Sequence, residues 1–508
     1  MSHVMQKRAL FIGIGGDFYT KSVIDQLRKS GHVDFAAGVI DKSQDFSVFD
    51  TVPAHFSDAL FAEYRRQRTD FTGIDGRLYD SIRHCEGNIL RQMDRLLYEP
   101  QAQSVIPPFT GSFDDRRRLL LRHLEFWDLV ITELNITFAV FHNVPHQVFD
   151  TILYHLCKSR GILTLILSSV GVFRDTYFVS ESIEELGLLQ LGTELNQAAA
   201  TTLIDRESRV LGDWQRICDM VDSAGEAHVA TKPYSRLRAL VNNGHIGGSD
   251  VTVHSVLSAL GQRVSRFLGE STIDLASTKR KKTRLKQVAA ARKEELESVA
   301  TGLLPKHFLY FPLHFQPEAS TSARGDHYVE LREVVALVAA ALPSDFMLVL
   351  KEHPHQYEKL LPRADGFFRS LVSVPRVHLV DSSVPSTVLR ERCRGVITVS
   401  GSNGFEVLAT GKGVIAFGTA SWREAPGVWT VRTKSEVHAA VNSVCGGGTI
   451  SRDVYLPYLD RLKKATFLAD LSDSRGGKSE LEVAEMQLAT STNLVAVIRA
   501  WIDKRGAI

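Results

Sequence analysis

"VITVSGSNGFEVLATGKGVIAFG", Val396 to Gly418, is an apolar run, a loop of small residues, a helical stretch, a glycine turn and a second apolar run. The two runs suit strands buried on both faces, as in the middle of a parallel sheet. Two such strands with a helix between them make a βαβ unit, and a parallel sheet needs helices on its faces. The same alternation continues on either side. Before it come "HFLYFPL" (307–313), a helical pattern from about Val329 to Ala341, "FMLVLKEHP" (346–354) and "VHLV" (377–380); after it comes "GVWTV" (427–431). These segments predict a doubly wound domain over 304–450.

The first half of the chain repeats the pattern. "RALFIGI" (8–14) runs into glycines, a helical stretch spans about Thr20 to Lys29, and "FAAGVID" (35–41) is the next strand signal. From about Ser43 to Gly111 no clean strand signal appears. Order returns with "DLVITE" (128–133) and "TFAVFHN" (137–143), both read as short strands. A helix follows in which Val148, Ile152, Leu153 and Leu156 share a face and Gly161 sits beyond the last turn, and then "LTLILSS" (163–169) is a further strand. The fold class expected is α/β, two Rossmann-like doubly wound domains facing a central cleft with a helical connecting region. Its boundaries are 1–180 for the first domain, 181–303 for a mainly helical insertion and linker, 304–450 for the second domain, and 451–508 for helices packing back across the domain boundary. The basic start of "KRKKTRLKQVAAARKEELESVA" (279–300) suits a solvated helix laced with charge pairs, or a phosphate or membrane contact.

Composition narrows the function. A chain of 508 residues exceeds one core, and 60 basic against 58 acidic residues leave no global field to attract nucleic acid or an anionic surface. An anionic substrate would therefore be held locally. Five widely spaced cysteines, at 85, 157, 218, 393 and 445, give no CxxC pair, so neither a disulfide framework nor a zinc site is expected. No signal peptide and no membrane span is read, and a cytoplasmic protein is expected, with at most peripheral contact at the inner face of a membrane or with assembly machinery.

Open parallel sheets bind ligands at the carboxyl ends of their strands. Three strand ends in the second domain carry polar clusters: His314, Gln316 and Glu318 after the first, Lys351, Glu352, His353 and Pro354 after the second, and Ser400, Gly401, Ser402, Asn403 and Gly404 after the fourth. The last cluster opens a helix, where free N–H groups and glycines at 401 and 404 suit an anion; an ordinary capped helix gives the same pattern. Glu406, in the first turn, complements the helix dipole. His353 reads as a phosphate or carboxylate donor, or as a structural hydrogen-bond partner. In the first domain Asp17, after "GIGG", is a candidate general base facing the cleft or a helix N-cap. His142, Asn143 and His146, at another strand-to-helix junction, are candidates for the acceptor side or for capping and packing.

"FPLHFQPEAS" (311–320), "LVLKEHP" (348–354) and "SGSNGFEVLATGKGVIAFG" (400–418) together resemble the GT-B capsule and surface polysaccharide glycosyltransferases, including bacterial Kdo transferases and, more remotely, sialyltransferases. The resemblance covers about Lys306 to Ser421 and is patchy in the first domain. It implies a CMP-activated acidic sugar such as Kdo or a sialic-acid-like sugar as donor, a glycan or lipid-linked glycan as acceptor, and no metal or other cofactor. It implies further that His353 and Pro354 bind the CMP phosphate, with Ser400 to Asn403 near the donor. Glu318 stands where those relatives carry Asp before an Ala-Ser pair; its longer side chain leaves nucleophile, base and binding group open as roles. Carboxylate chemistry suits such a donor, because departure of CMP creates oxocarbenium character that an anion stabilises.

Rival readings are a UDP-sugar transferase or nonhydrolysing sugar-nucleotide epimerase of the same architecture, and a non-catalytic carbohydrate-binding subunit of an assembly complex. A dinucleotide oxidoreductase fits less well, since Gly13, Gly15 and Gly16 are followed by Phe18 where the fingerprint needs a third glycine.

Overall fold

The computed structural model describes residues 7–12, 19–39, 120–204 apart from 122–123, 125–126, 129, 147, 172 and 174, and 272–506 apart from 317, 359–362, 449 and 472–479. Asp17, the glycines at 13, 15 and 16, Asp41 and Pro317 lie outside the described residues.

Two six-stranded sheets organise these residues. The first contains β1 (Arg8–Ile12), β2 (Phe35–Val39), β3 (Phe138–Phe141), β4 (Leu163–Ser169), β5 (Thr176–Ser180) and β12 (Phe467–Leu468) in the order β12-β5-β4-β3-β1-β2. Strands β1 to β4 are parallel, whereas β5 pairs antiparallel with both β4 and the edge strand β12. The second sheet holds β6 (Phe308–Pro312), β7 (Met347–Lys351), β8 (Val377–Leu379), β9 (Gly395–Thr398), β10 (Gly413–Ala416) and β11 (Val428–Thr430), all parallel, in the order β11-β10-β9-β6-β7-β8. The chain begins this sheet in its middle, goes outward through β7 and β8, then returns to the other side of β6. The order reverses between β6 and β9, which is where a doubly wound sheet opens a crevice at its carboxyl edge.

Apolar residues on both faces hold these strands inside. Leu309, Tyr310 and Phe311 of β6 are fully buried, with Tyr310 in the layer that faces the first domain and Leu309 and Phe311 in the opposite layer. Burying a side chain of this size stabilises the fold by roughly 1.5–3 kcal/mol. The Tyr310 layer continues without a break into the first domain. Phe173 of that domain meets Phe405 of the second edge to face, with ring centres 5.8 Å apart. An apolar seam therefore joins the domains beneath the cleft. Gly187 permits it: at φ 84° a Cβ there would collide with the carbonyl of Ala420 across the boundary.

The helix Glu480–Gly506 packs against the first sheet, where Trp501 lies edge-on to Phe138 at 5.7 Å and the indole N–H donates to Glu181 at 2.7 Å. Arg505 Nε also donates to Glu181, at 2.6 Å.

One expected strand is a helix. Residues 130–133 of "DLVITE" are helical, and Leu120, Leu124, Trp127 and Ile131, spaced by four, three and four, are all buried. That spacing is helical, and it outweighs the local β-branched run. Asn135, at φ 48°, ends the helix, with the N–H of Ile136 returning to the carbonyl of Ile131 at 3.0 Å. Strands β5 and β12 were not expected from the sequence, and of the segment 205–271 nothing is described.

Candidate active site

The three polar clusters do arrive at the carboxyl edge of the second sheet, and a residue that no motif marks ties the first two together. Arg363 donates from Nε to Glu352 Oε2 and from Nη2 to Glu352 Oε1, both at 2.8 Å. It also donates to the carbonyl of His314 at 2.7 Å and to Gln316 Oε1 at 2.6 Å. Gln316 and Gln356 exchange a second pair of bonds, backbone N–H to Oε1 at 2.9 Å and Nε2 to carbonyl at 2.6 Å. Gln316 Nε2 donates to the carbonyl of Val329 at 2.7 Å. The ends of β6 and β7 are thus one hydrogen-bonded block, and the Gln316 side chain is spent within it.

His314 joins this block to the third cluster. Its ring is buried, and Nε2 accepts the N–H of Val399 at 2.8 Å and lies 3.1 Å from the Thr398 hydroxyl, which in turn accepts the N–H of Gly401 at 2.9 Å. Burial, together with the nearby Arg363 and His353, lowers its pKa to about 3, so the imidazole is neutral. A neutral ring accepting at Nε2 carries its proton on Nδ1. His314 fixes the crevice between β6 and β9 from within.

His353 is half-buried. Its Nδ1 accepts the N–H of His355 at 3.2 Å, which leaves Nε2 as the protonated nitrogen of the neutral ring. Burial and then the charge of His355 lower its pKa, against the opposing pull of Glu352 and Glu318. Its backbone N–H donates to Glu352 Oε1 at 2.7 Å, so the buried ion pair also positions this residue. Pro354, next in the chain, is exposed.

Glu318 is exposed, and its carboxylate accepts the Ser320 hydroxyl at 2.6 Å. It lies within electrostatic reach of two groups, His353 and Arg324. Arg324 crosses the cleft: its Nη2 donates to Ser168 of β4 at 2.8 Å. Burial lowers the Arg324 pKa to about 10, with Glu318 acting the other way.

The remaining residues divide by how much of them is free. Lys351 Nζ donates to the carbonyl of Val384, and burial lowers its pKa. Ser400 Oγ donates to the carbonyl of Ser320 at 2.6 Å. Asn403 accepts from Arg390 at 2.8 Å, and Arg390 pairs with Glu406 at 3.2 Å, so both are committed to the six-residue helix Asn403–Leu408 and its neighbour. Ser402 makes no side-chain cap. Gly404 N–H returns to the carbonyl of Gly401 at 3.2 Å.

On the first domain, His142 Nδ1 lies 3.2 Å from the carbonyl of Ile12 at the end of β1, and burial lowers its pKa to about 4. Asn143 Oδ1 accepts the N–H of Val144 at 2.8 Å, and His146 Nδ1 lies 2.7 Å from the carbonyl of Val144. These three shape a turn at the carboxyl edge of the first sheet.

Between the domains, beside Arg324, is a cavity of about 120 Å³. Thr151 and His155 of the helix Val148–Ser159 line one side; Ser322, Arg324 and Thr419 line the other. None of these was singled out in the sequence, where "ASTSARGDHY" (319–328) carries only a cluster of small and polar residues. Among the described residues no group of three His, Cys, Asp or Glu side chains is placed to hold a metal ion, and no helix is long and apolar enough to cross a membrane.

Two Rossmann-like sheets, a crevice at the carboxyl edge of the second and a polar cavity between them define a two-domain protein of the GT-B type. Residues 270–442 match the family of capsule polysaccharide biosynthesis proteins, so the resemblance drawn from Lys306 to Ser421 is borne out at the level of the family. No curated protein matches the sequence. Among solved structures the chain is similar to a UDP-GlcNAc 2-epimerase of Methanocaldococcus jannaschii in complex with UDP-GlcNAc and UDP, at 12% identity over 89% of this chain and 96% of that one, with a TM-score of 0.25. It is also similar to Thermosulfurimonas dismutans KpsC, a beta Kdo 2,7 transferase, at 10% identity over 70% and 97%, again with a TM-score of 0.25. The calicheamicin glycosyltransferase CalG4 shares 12% identity over 98% and 99%, with a TM-score of 0.21.

Proposed function

We propose that this protein is a glycosyltransferase of bacterial surface polysaccharide synthesis that moves an acidic sugar from a CMP-activated donor to a glycan acceptor. One observation carries the reading: Glu318 and His353, from the ends of neighbouring strands, share an electrostatic neighbourhood at the cleft, and Arg324 reaches across it to the other domain. The family match supports it by spanning all three polar clusters.

In this reading the donor phosphate sits against the His353 Nε2–H, whose proton is assigned by the bond that Nδ1 accepts. Loss of CMP makes the phosphate more negative and the sugar cationic. A donor facing the first and a carboxylate facing the second both gain strength in the transition state, which is the condition for lowering a barrier. Glu318 is the carboxylate, with one oxygen steadied by Ser320. Its role as nucleophile, base or electrostatic partner follows from the stereochemistry of the product, and Asp17 remains the proposed base for an inverting route. The work would be done at the cytoplasmic face of the inner membrane, where a lipid-linked acceptor is presented.

Thermal denaturation with CMP, UDP, GDP and NAD tests the donor class, because a ligand that binds only the folded state raises the melting temperature. A rise with CMP alone is expected. A rise with UDP and none with CMP would replace the proposed donor with a UDP-sugar.

A further inference from the structure

Past the end of β7 a second imidazole stands beside the first. The rings of His353 and His355 lie 5.2 Å apart, and Phe315, just beyond β6, closes the group at 5.7 Å from His353 and 6.5 Å from His355. All three residues are half-buried. The bond that joins the histidines is made by the main chain of His355, whose N–H donates to His353 Nδ1 at 3.2 Å. A ring nitrogen that accepts an N–H has its lone pair in use, so a proton placed there would break the bond and set donor against donor. Because the bond comes from the backbone of His355, it sets no such bar on that ring. Burial first, and then the charge of His355, lowers the His353 pKa, so one proton on the pair discourages a second.

The charged groups around the pair are themselves held in place. Glu352 is fixed by Arg363 and by the His353 N–H. Glu352 and Glu318 favour positive charge on the pair, and Arg363 opposes it. His314, with its pKa near 3, is neutral. From the other side the helix Thr272–Val299 packs on the short helix His355–Glu358, and its Arg292 and Glu295 act on Tyr357 there.

We propose that the two histidines divide the holding of a phosphate at this crevice: His353 stays a neutral Nε2–H donor, and His355 takes up the proton that gives the site its positive charge. Phosphate affinity then rises as pH falls, and His355 is the residue that makes it do so. The division of labour rests on the reading that a nucleotide phosphate meets His353, but it concerns the phosphate and not the base. It also has a consequence for the reaction. A nucleotide-sugar is a phosphate diester with one negative charge. When the bond from its phosphate oxygen to the anomeric carbon breaks, the electron pair stays on that oxygen and the phosphate gains a second charge. A cation at His355 is therefore worth more in the transition state than in the bound donor.

Isothermal titration calorimetry of the full chain tests this with cytidine 5′-methyl phosphate and uridine 5′-methyl phosphate, diesters whose own charge does not change, at about pH 7.5 and about pH 5.5, on either side of the ordinary imidazole value. The native chain should bind the cytidine probe at least about tenfold more tightly at the lower pH, the linked counterpart of a one-unit shift by an opposite charge. His355→Gln leaves the backbone N–H in place; it should bind as the native chain does at the higher pH and lose the rise at the lower one. His355→Lys, with a permanent charge, should hold the tighter binding at both. His353→Ala should weaken binding at both and keep the rise. No rise in the native chain, a rise that survives His355→Gln, or a Lys variant that behaves like the Gln variant would overturn the proposal. The same pattern with the uridine probe in place of the cytidine one would sink the CMP reading and leave the histidine pair standing, and no binding of either probe would sink both.

Discussion

Arg363 and Glu352 form a two-pronged ion pair whose side chains are 5% and 2% exposed, and the same guanidinium holds the carbonyl of His314 and the side chain of Gln316. A charge buried this deeply is costly to strand. Arg363→Met should therefore destabilise the fold by about 3–5 kcal/mol, because Glu352 loses its partner in a dry environment. The double variant Arg363→Met/Glu352→Gln should recover a good part of that loss. Urea denaturation of the single and double variants measures it, and additive losses would mean that the pair is not coupled.

The neutral state of His314 gives stability a pH dependence. Its folded pKa, about 3, lies below the ordinary value of 6.5 that the unfolded chain would show. Between those values the unfolded state binds the extra proton, so stability rises with pH there. The contribution is complete above about pH 6.5 and is lost as pH falls toward 3. His142, lowered to about 4, acts in the same direction. Urea midpoints at pH 7 and pH 5 should differ more for the native chain than for His314→Gln, which keeps an acceptor for Val399 but cannot titrate. Identical slopes would show that His314 is not the group responsible.

The parallel strands were legible because residues buried on both faces leave continuous apolar runs, and Phe308–Phe311 and Val396–Ile397 are such runs. "DLVITE" failed for the opposite reason: its signal was the spacing of Leu120, Leu124, Trp127 and Ile131 upstream, which a six-residue window cannot contain. The strands β5 and β12 pair at an edge between segments almost 300 residues apart, and their register has no local trace. In the site, sequence located the three strand ends but not which side chains stay free there. Gln316, Lys351 and Asn403 look like ligand donors in one dimension, yet each is bonded to a partner supplied by the fold. Arg363 and Arg324 escaped notice because their importance lies in what they reach across.

Two glycines of the third cluster are required by close approach rather than by backbone angle. A Cβ at Gly401 would come within 2.7 Å of His314 Cε1, and one at Gly404 within 2.7 Å of Trp422 Cζ2. His314 is pinned by two neighbours and Trp422 is buried, so neither ring has room to yield. Gly401→Ala and Gly404→Ala should each cost about 1–3 kcal/mol, the range for overpacking a filled interior. For Gly404→Ala a change in tryptophan emission should accompany the loss. Unchanged unfolding midpoints in both would show that the loop is looser than its contacts indicate.

Glu318 offers the opposite case, a residue whose loss the fold should not notice. Its carboxylate is exposed, and its side-chain bond is to Ser320, two residues away. The backbone of Glu318, whose carbonyl accepts the N–H groups of Thr321 and Ser322, is untouched by a change at the carboxylate. Glu318→Gln keeps the shape and removes the charge. If that charge faces the developing oxocarbenium ion, or takes a proton from the acceptor, transfer from a CMP-sugar should fall by about 10²- to 10⁴-fold. The melting temperature should stay close to that of the native chain, and so should the shift produced by CMP, since the proposed function places the leaving group on His353 and not on Glu318. A variant that still turns over at the native rate, with its product confirmed by mass spectrometry, would remove Glu318 from the reaction and leave His353 as a binding residue alone.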